Sequence, residues 1–529
     1  MPPVGNNIIA RPAGAAVWLP VSVFIIGFVV LLLLILIVND GHVVYTLDDA
    51  YVHLALAENI ANGHYGVNAG EYSAPSSSIL WPFLLAPFAK LPVAQYVPLM
   101  VNLLATIGVL LLYSHLLLLA FREAAGAGYG LKIGLVTALL IPATNLWGLL
   151  YMGMEHTLQL FLAVLTVIGL VRECRDSTVP WWLLVAIIAG PLIRYENLAL
   201  SAPALGYLFL RRHFRPAVIG AVGVVLTLGA YSLFLNSLEL GWLPTSVISK
   251  SRPVSSGGSV AALISNFKSN LRLAQGALLA VGFFLSALRA ASRRPAPSER
   301  LLAAWGACAI LLHLVVGNFG WYSRYEAYIW ATALFTLTYI YRRGLLRIAG
   351  GLPGHRLAII LCLFVGITAR PYIGGMLTTR VASNNIYQQQ YQMHRFVTEY
   401  YRAPVAVNDI GWVSYANDNY VLDLWGLGSQ QALESRRNHE GPQWITALAN
   451  KHDIHLAMIY DTWLPEIPAG WITLGELRLG RRKITPAHDA VTFYATDSAT
   501  FANVRGLLAD FRHTLPDRAS FVFRDSTGP

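Results

Sequence analysis

Apolar runs recur along the chain as far as about residue 373, separated by short polar gaps, and then the pattern changes. An α-helix needs about 20 predominantly apolar residues to cross the hydrocarbon core. The runs predict helices near 17–38, 94–120, 132–150, 156–171, 180–193, 197–210, 217–237, 271–288, 301–317, 326–341 and 356–373. The first run is longer than the apolar part of a signal peptide, and no small-x-small cleavage site follows it, so it reads as a retained transmembrane helix. After residue 380 the apolar runs shorten. Residues 405–408, 420–424, 456–460 and 491–495 predict strands, and 444–451 and 501–512 predict helices. The expected fold is therefore an α-helical polytopic membrane domain of about eleven transmembrane helices over 1–379, followed by an α/β domain over 380–529.

Composition agrees with this division. Of the 529 residues, 55% are hydrophobic and only 12% charged, against about 25% charged in soluble domains, and the mean hydropathy is +0.52. A net charge of +10 is what nucleic-acid binding would require, but no basic, aromatic-interleaved motif accompanies it. No nucleic-acid partner is expected; the bilayer is. Cys174, Cys308 and Cys362 form no CxxC pair, and none follows residue 362. A disulfide framework in the C-terminal part is thereby excluded, and no zinc-thiolate site is expected.

The basic residues fall in alternate gaps between the predicted spans: Arg11; Arg122 and Lys132; Arg172 and Arg175; Arg211, Arg212 and Arg215; Arg289, Arg293, Arg294 and Arg300; Arg342, Arg343, Arg347 and Arg356. One gap breaks the alternation, near 238–270, where Lys250, Arg252 and Lys268 lie. Lys and Arg concentrate in cytoplasmic loops, so the N-terminus is expected in the cytoplasm and the C-terminal domain outside.

The first outer loop then spans 39–93. Within it Asp49–Ala61 predicts an amphipathic helix ended by Asn62-Gly63, and 79–91 predicts a short apolar helix lying in the membrane interface, with Trp81 at headgroup depth. Asp48 and Asp49 stand at the start of the first of these helices. One reading is an N-cap and a first-turn acid. The other is a pair of carboxylates of the kind a sugar transfer uses, one taking a proton from an acceptor hydroxyl and one orienting it.

The run Leu-Asp-Asp-Ala-Tyr-Val-His from Leu47 to His53, with Asn68-Ala69-Gly70-Glu71 and the segment 73–81, resembles the first outer loop of GT-C glycosyltransferases. The likeness is closest to the bacterial transferases that include the mycobacterial terminal arabinofuranosyltransferase. It is more distant to protein O-mannosyltransferases and lipid A aminoarabinose transferases. Further matches are Gly153-Met154-Glu155-His156, Pro191 to Asn197 with Tyr195 where a proline is usual, Gly241 to Ser246 with Lys250, and Arg324-Tyr325-Glu326. Asp409-Ile410-Gly411 and Asp423 to Leu427 resemble paired motifs of that family's outer domain.

The resemblance implies a GT-C membrane enzyme at a bacterial inner membrane. It would move a hexosyl or pentosyl group, with inversion, from a polyprenyl-phosphate-linked donor to a hydroxyl-bearing acceptor on the outer face. It makes Asp48 and Asp49 the catalytic acids, with Asp48 preferred as the base. Arg194, Lys250, Arg252 and Arg324 are cations on the expected outer side, and a misplaced interfacial cation usually has an anionic partner. A phosphodiester supplies one; ion pairs with Glu196 or Glu326 are the alternative. His53, Glu155, His156, Glu196 and Tyr325 complete the expected substrate-binding set.

Asp49 and His53 share a helix face, and some family members use a divalent cation. That option stays open, although no motif specifies a metal site and no cofactor is required. Asp409, Asp423 and Trp425 read either as an acceptor platform or as turns closing strands. A transporter or lipid flippase, using the outer acids for cargo or protons, is the competing class. It would place ionisable groups at the midplane of broken spans and show repeat symmetry, whereas here they lie at span ends. The glycosyltransferase reading requires Asp48 or Asp49 to face a cavity on the same side as Arg324 and Lys250.

Overall fold

The computed structural model describes residues 14–124, 128–250, 259–464 and 466–524. Arg11 and Arg252 lie outside the described residues, as does the side chain of Lys250. Each of the eleven apolar runs contains helix, but the helices differ in reach. Among the described residues seven are long and apolar enough to cross a membrane: Gly14–Val38, Ala94–Ala120, His156–Asp176, Phe214–Ser237, Ala274–Ala291, Pro297–Val316 and a last helical stretch from Gly354. Three apolar helices are shorter, Tyr129–Ala143, Trp181–Ile193 and Ala327–Ile340. The 132–150 run breaks in two, because Pro142 weakens the helix end and Asn145 takes a left-handed backbone (φ 56°) before Leu146–Leu150 resumes. The chain is thus a multi-pass helical membrane bundle followed by a small α/β domain.

Small residues let the first helix pack closely. A β-carbon on Gly134 would meet the carbonyl oxygen of Ala15 at 2.3 Å, the close backbone approach typical of membrane helix pairs. The outer faces stay apolar, with Ile26, Val30, Leu33 and Ile37 exposed on the first helix.

The helix Asp49–Ala61 is less amphipathic than its sequence predicts. Residues Ala50 to Ala57 are all buried, because the helix lies between two layers. Ala50, Tyr51, Leu54 and Ala57 pack into the core of the bundle, while Val52 and Ala55 pack into that of the α/β domain. The expectation for 79–91 is also corrected: the helix covers only Leu80–Leu85 before breaking at Ala86-Pro87. Trp81 is wholly buried in the protein.

The helix Gly354–Gln388 runs through residue 380, where the composition changes, without a break. Its end is rich in buried amides that bind the two domains together. Asn384 donates to the carbonyl of Val38 at 2.6 Å, and Ser383 donates to that of Val44 at 2.6 Å. Asn385 accepts from the N–H of Ile484 at 2.8 Å, and Gln388 accepts from that of Gly480 at 3.0 Å. Asn385 and Gln388 use both their donors and their acceptors, which is how buried amides are tolerated.

The α/β domain holds one sheet of β1 (Val405–Val407), β2 (Val421–Asp423), β3 (Leu456–Ile459), β4 (Ile472–Arg478), β5 (Ala490–Ala495) and β6 (Ser520–Phe523), in the order β2-β1-β3-β5-β4-β6. The strands β2, β1 and β3 are parallel, and β5, β4 and β6 continue antiparallel. Of these, β4 and β6 escape the sequence reading: β4 is interrupted by Gly475 at a register shift and carries Glu476 and Arg478, and β6 is a four-residue edge.

Candidate active site

Ligands of open α/β sheets bind beyond the carboxyl ends of the parallel strands. Here those ends point down at the bundle: Asn408 and Asp409 follow β1, and Asp423 ends β2. Between them and the bundle lies a cavity of about 940 Å³. Its floor is Leu47 to Asp49, Val52 and the segment Asn318 to Tyr325; one wall is Asn266, Ser269 and Asn270; its roof includes Asp409, Asp423, Trp425, Trp463 and the loop Lys483 to His488.

Both acids of the 39–93 loop reach this cavity, in different states. Asp49 forms an ion pair with Arg324, Nη2 to Oδ2 at 2.7 Å; the Arg324 side chain is 2% exposed and that of Asp49 24%. Arg324 also donates to the Tyr325 hydroxyl at 3.0 Å, and its guanidinium carbon lies 4.9 Å from the Tyr325 ring centroid. A charge removed from water this completely needs such partners. The segment carrying it is contorted: Gly320, Trp321, Tyr322 and Ser323 all take positive φ, a conformation costing non-glycine residues about 1 kcal/mol or more each.

Asp48 is buried and points the other way, into the α/β domain. Its two oxygens accept from the N–H groups of Gly411 at 2.6 Å and Trp412 at 2.8 Å. Burial, together with the neighbouring Asp409 carboxylate, raises its pKa well above the usual carboxylate range despite these two donors. Gly411 has to be glycine here, since a β-carbon would meet the Asp48 carbonyl oxygen at 2.1 Å. Asp409 in turn accepts from Gln390 at 2.8 Å.

The other expected site residues gather behind the cavity. Arg194 pairs with Glu155 at 2.7 Å and with Glu196 at 2.6 Å, and donates to Ser77 at 3.2 Å. His53 Nε2 lies 3.5 Å from Glu155. The Arg194 guanidinium also sits 5.5 Å from the Tyr325 ring, and His156 meets the same ring at 6.1 Å between centroids. Tyr325 and Arg324 therefore line the cavity, while His53, Glu155, His156, Arg194 and Glu196 form a buried network reaching Tyr325 from outside the lining. Arg194 takes the ion-pair alternative with Glu196, whereas Arg324 pairs with Asp49 and Glu326 instead accepts from the N–H of Gly320 at 3.0 Å.

On the roof, Asp423 closes a turn by accepting from the N–H groups of Trp425, Leu427 and Gly428 at 2.6–2.8 Å. Burial still pushes its pKa up to about 6. That turn presents Trp425, backed by the Arg436 guanidinium 3.5 Å from its ring centroid and packed 4.7 Å from Trp463. Trp463, Lys483 and His488 were not anticipated from sequence. The available signal was the basic run Arg481-Arg482-Lys483. Among the described residues no group of three or more His, Cys, Asp or Glu side chains converges as a metal site.

A family described as a domain of unknown function (DUF8728) matches residues 384–494, from the amide-rich helix end through most of β5. No curated protein matches the chain. Among solved structures the chain is similar to the apo oligosaccharyltransferase of Archaeoglobus fulgidus, at 14% identity and a TM-score of 0.45, over 90% of this chain and 74% of that one. It is also similar to the arabinofuranosyltransferase AftD from Mycobacteria, at 14% identity and a TM-score of 0.40, over 91% of this chain and 41% of the other.

Proposed function

We propose that the chain is an inverting membrane glycosyltransferase of GT-C type. In this reading it moves a sugar from a polyprenyl-phosphate donor to a hydroxyl acceptor at the outer face of a bacterial inner membrane. The N-terminus is cytoplasmic and the α/β domain outside. The observation that carries the proposal is the Asp49–Arg324 pair, a carboxylate and a buried guanidinium 2.7 Å apart in a cavity between a lipid-embedded bundle and a water-facing domain.

Each half of that pair has a task. A donor phosphate entering the cavity offers the Arg324 guanidinium a second anion, with the bidentate geometry that arginine matches. As Arg324 turns towards the phosphate, Asp49 is released to accept the proton of the acceptor hydroxyl. The acceptor oxygen then bonds to the anomeric carbon from the face opposite the phosphate, and the bond from that carbon to the phosphate oxygen breaks. The electron pair leaves with the polyprenyl phosphate, whose charge Arg324 neutralises. Asp48 is assigned a positioning role, since both its oxygens already accept backbone N–H groups. Trp425 and Trp463 offer flat apolar faces to a sugar ring. Lys250 and Arg252 remain candidates for the phosphate through their place in sequence alone.

The test is transfer by the purified chain from a panel of synthetic polyprenyl-phosphate sugars, read as release of polyprenyl phosphate. Turnover with at least one donor, abolished by Asp49→Asn, is the expected result. Wild-type-like turnover by Asp49→Asn would overturn the assignment of the base.

A further inference from the structure

The loop between β4 and β5, whose Lys483 lines the cavity, also carries Arg481 and Arg482 outside that lining, and its placement follows from two buried amides. Asn385 donates to the carbonyl of Arg482 at 3.3 Å and accepts from the N–H of Ile484 at 2.8 Å. Gln388 accepts from the N–H of Gly480 at 3.0 Å and donates to the carbonyl of Asp517 at 3.3 Å. Both amides belong to the helix Gly354–Gln388, so that helix holds the 480–484 loop and the 517–518 turn against its own end. Gly480 and Arg518 touch backbone to backbone: a β-carbon on Gly480 would meet the Arg518 carbonyl oxygen at 2.2 Å. Arg518 itself has φ 76°.

The same helix fixes the depth of the loop. Its exposed residues are mostly apolar, Ile359, Leu363, Phe364, Ile367, Ile373 and Leu377, with Arg370 also exposed among them, a long side chain that can reach towards the headgroups. Counting about 20 residues from Gly354 brings it out of the hydrocarbon near Ile373 to Leu377, and exposed Arg380 follows within one turn. From Arg380 to Asn385 the helix rises only about 7.5 Å. Arg380, Arg481 and Arg518 thus come together where the bundle meets the headgroup layer. Among the described residues none of the three forms an ion pair, in contrast to Arg478 and Arg524 nearby, which both pair with Glu476. The Nε of Arg481 is buried without a hydrogen-bond partner. Burial, then the Arg518 and Arg380 charges, hold the Arg481 guanidinium below its ordinary pKa.

A cluster of like charges at this depth, with a donor already desolvated and unused, calls for an anion from the membrane. We infer that Arg380, Arg481 and Arg518 form a binding site for the phosphate headgroup of a membrane lipid, distinct from the cavity. The inference rests on the membrane reading of the bundle and not on glycosyl transfer. A bilayer phospholipid and a polyprenyl phosphate share this chemistry, and the test separates them.

The full chain is placed in nanodiscs of phosphatidylcholine doped with either phosphatidylglycerol or a polyprenyl phosphate, and the lipid retained after detergent exchange is counted by native mass spectrometry. Either anionic lipid is expected to be retained in preference to phosphatidylcholine, whose phosphate is balanced by its own ammonium group. Whichever dopant is retained names the source. Retention falls roughly fivefold per charge removed in Arg380→Gln, Arg481→Gln and Arg518→Gln combined stepwise, while the Arg→Lys triple keeps most of it. Equal retention of phosphatidylcholine, or no loss in the Gln triple, would overturn the site. So would equal loss in the Gln and Lys triples, because charge would then not be what holds the lipid.

Discussion

Arg324 and Asp49, 275 residues apart in sequence, meet at 2.7 Å on the floor of the cavity. The Arg324 guanidinium, 2% exposed, is a buried charge that depends on such a partner. Replacing Arg324 with Gln is expected to lower kcat roughly 10²–10³-fold, the range for losing one preorganised donor to a developing negative charge. Arg324→Lys should recover only part of this, since an ammonium cannot offer the planar fork. Steady-state kinetics of the two variants check both statements.

Asp48 has a different signature. Its carboxylate ties the first outer loop to the α/β domain through the N–H groups of Gly411 and Trp412. Asp48→Ala leaves two buried donors unsatisfied, at a cost of about 1–3 kcal/mol each. Gly411→Ala forces a β-carbon against the same group. Both variants are expected to lower the melting temperature of the detergent-solubilised protein and to speed proteolysis of the α/β domain. A loss of activity with unchanged stability would contradict the positioning role.

The Asp48–Asp409 contact also predicts a pH dependence. The folded pKa of Asp48 lies above its unfolded value, so the folded state binds the proton more tightly than the unfolded chain does. The contribution is fully present below the unfolded pKa and is lost as pH rises through the folded one. Thermal stability should therefore fall with rising pH over that window. Asp409→Asn removes the neighbouring charge and should flatten the profile, which differential scanning fluorimetry across pH measures.

Trp425 is held rigid by Arg436 and Trp463. If it seats a sugar ring in ground state and transition state alike, Trp425→Ala should raise KM with little change in kcat. A fall in kcat at constant KM would instead place it at the reacting carbon.

Much of this was legible in the sequence, for identifiable reasons. Apolar runs report helices in lipid directly, because every backbone group must be satisfied within the segment, and helix occurs in every predicted run. The first outer loop was located by its acids, Asp48 and Asp49. What the sequence could not give was which acid pairs with Arg324 and which is held by the α/β domain. Adjacent residues on a helix start diverge by about 100°, and the direction was settled by the Gly411 and Trp412 N–H groups more than 360 residues away. The burial of helix Asp49–Ala61 on both sides was hidden for the same reason: its second cover, around Val52 and Ala55, is a domain that begins after residue 384. For Arg194 the ion pair with Glu196 was legible two residues away, whereas its buried partner Glu155 lies 39 residues earlier and was not. Lys483 and His488 follow β4, whose glycine and polar residues mask it as a strand.

The central claim is that Asp49 takes the acceptor proton beside a phosphate held by Arg324. The most direct measurement is single-turnover release of polyprenyl phosphate from an active donor by wild type, Asp49→Asn and Asp48→Asn, with donor binding measured in parallel. The account predicts that Asp49→Asn binds donor but releases it roughly 10²–10⁴-fold more slowly. Asp48→Asn should retain chemistry in whatever fraction remains folded. Release by Asp49→Asn at the wild-type rate would contradict the account.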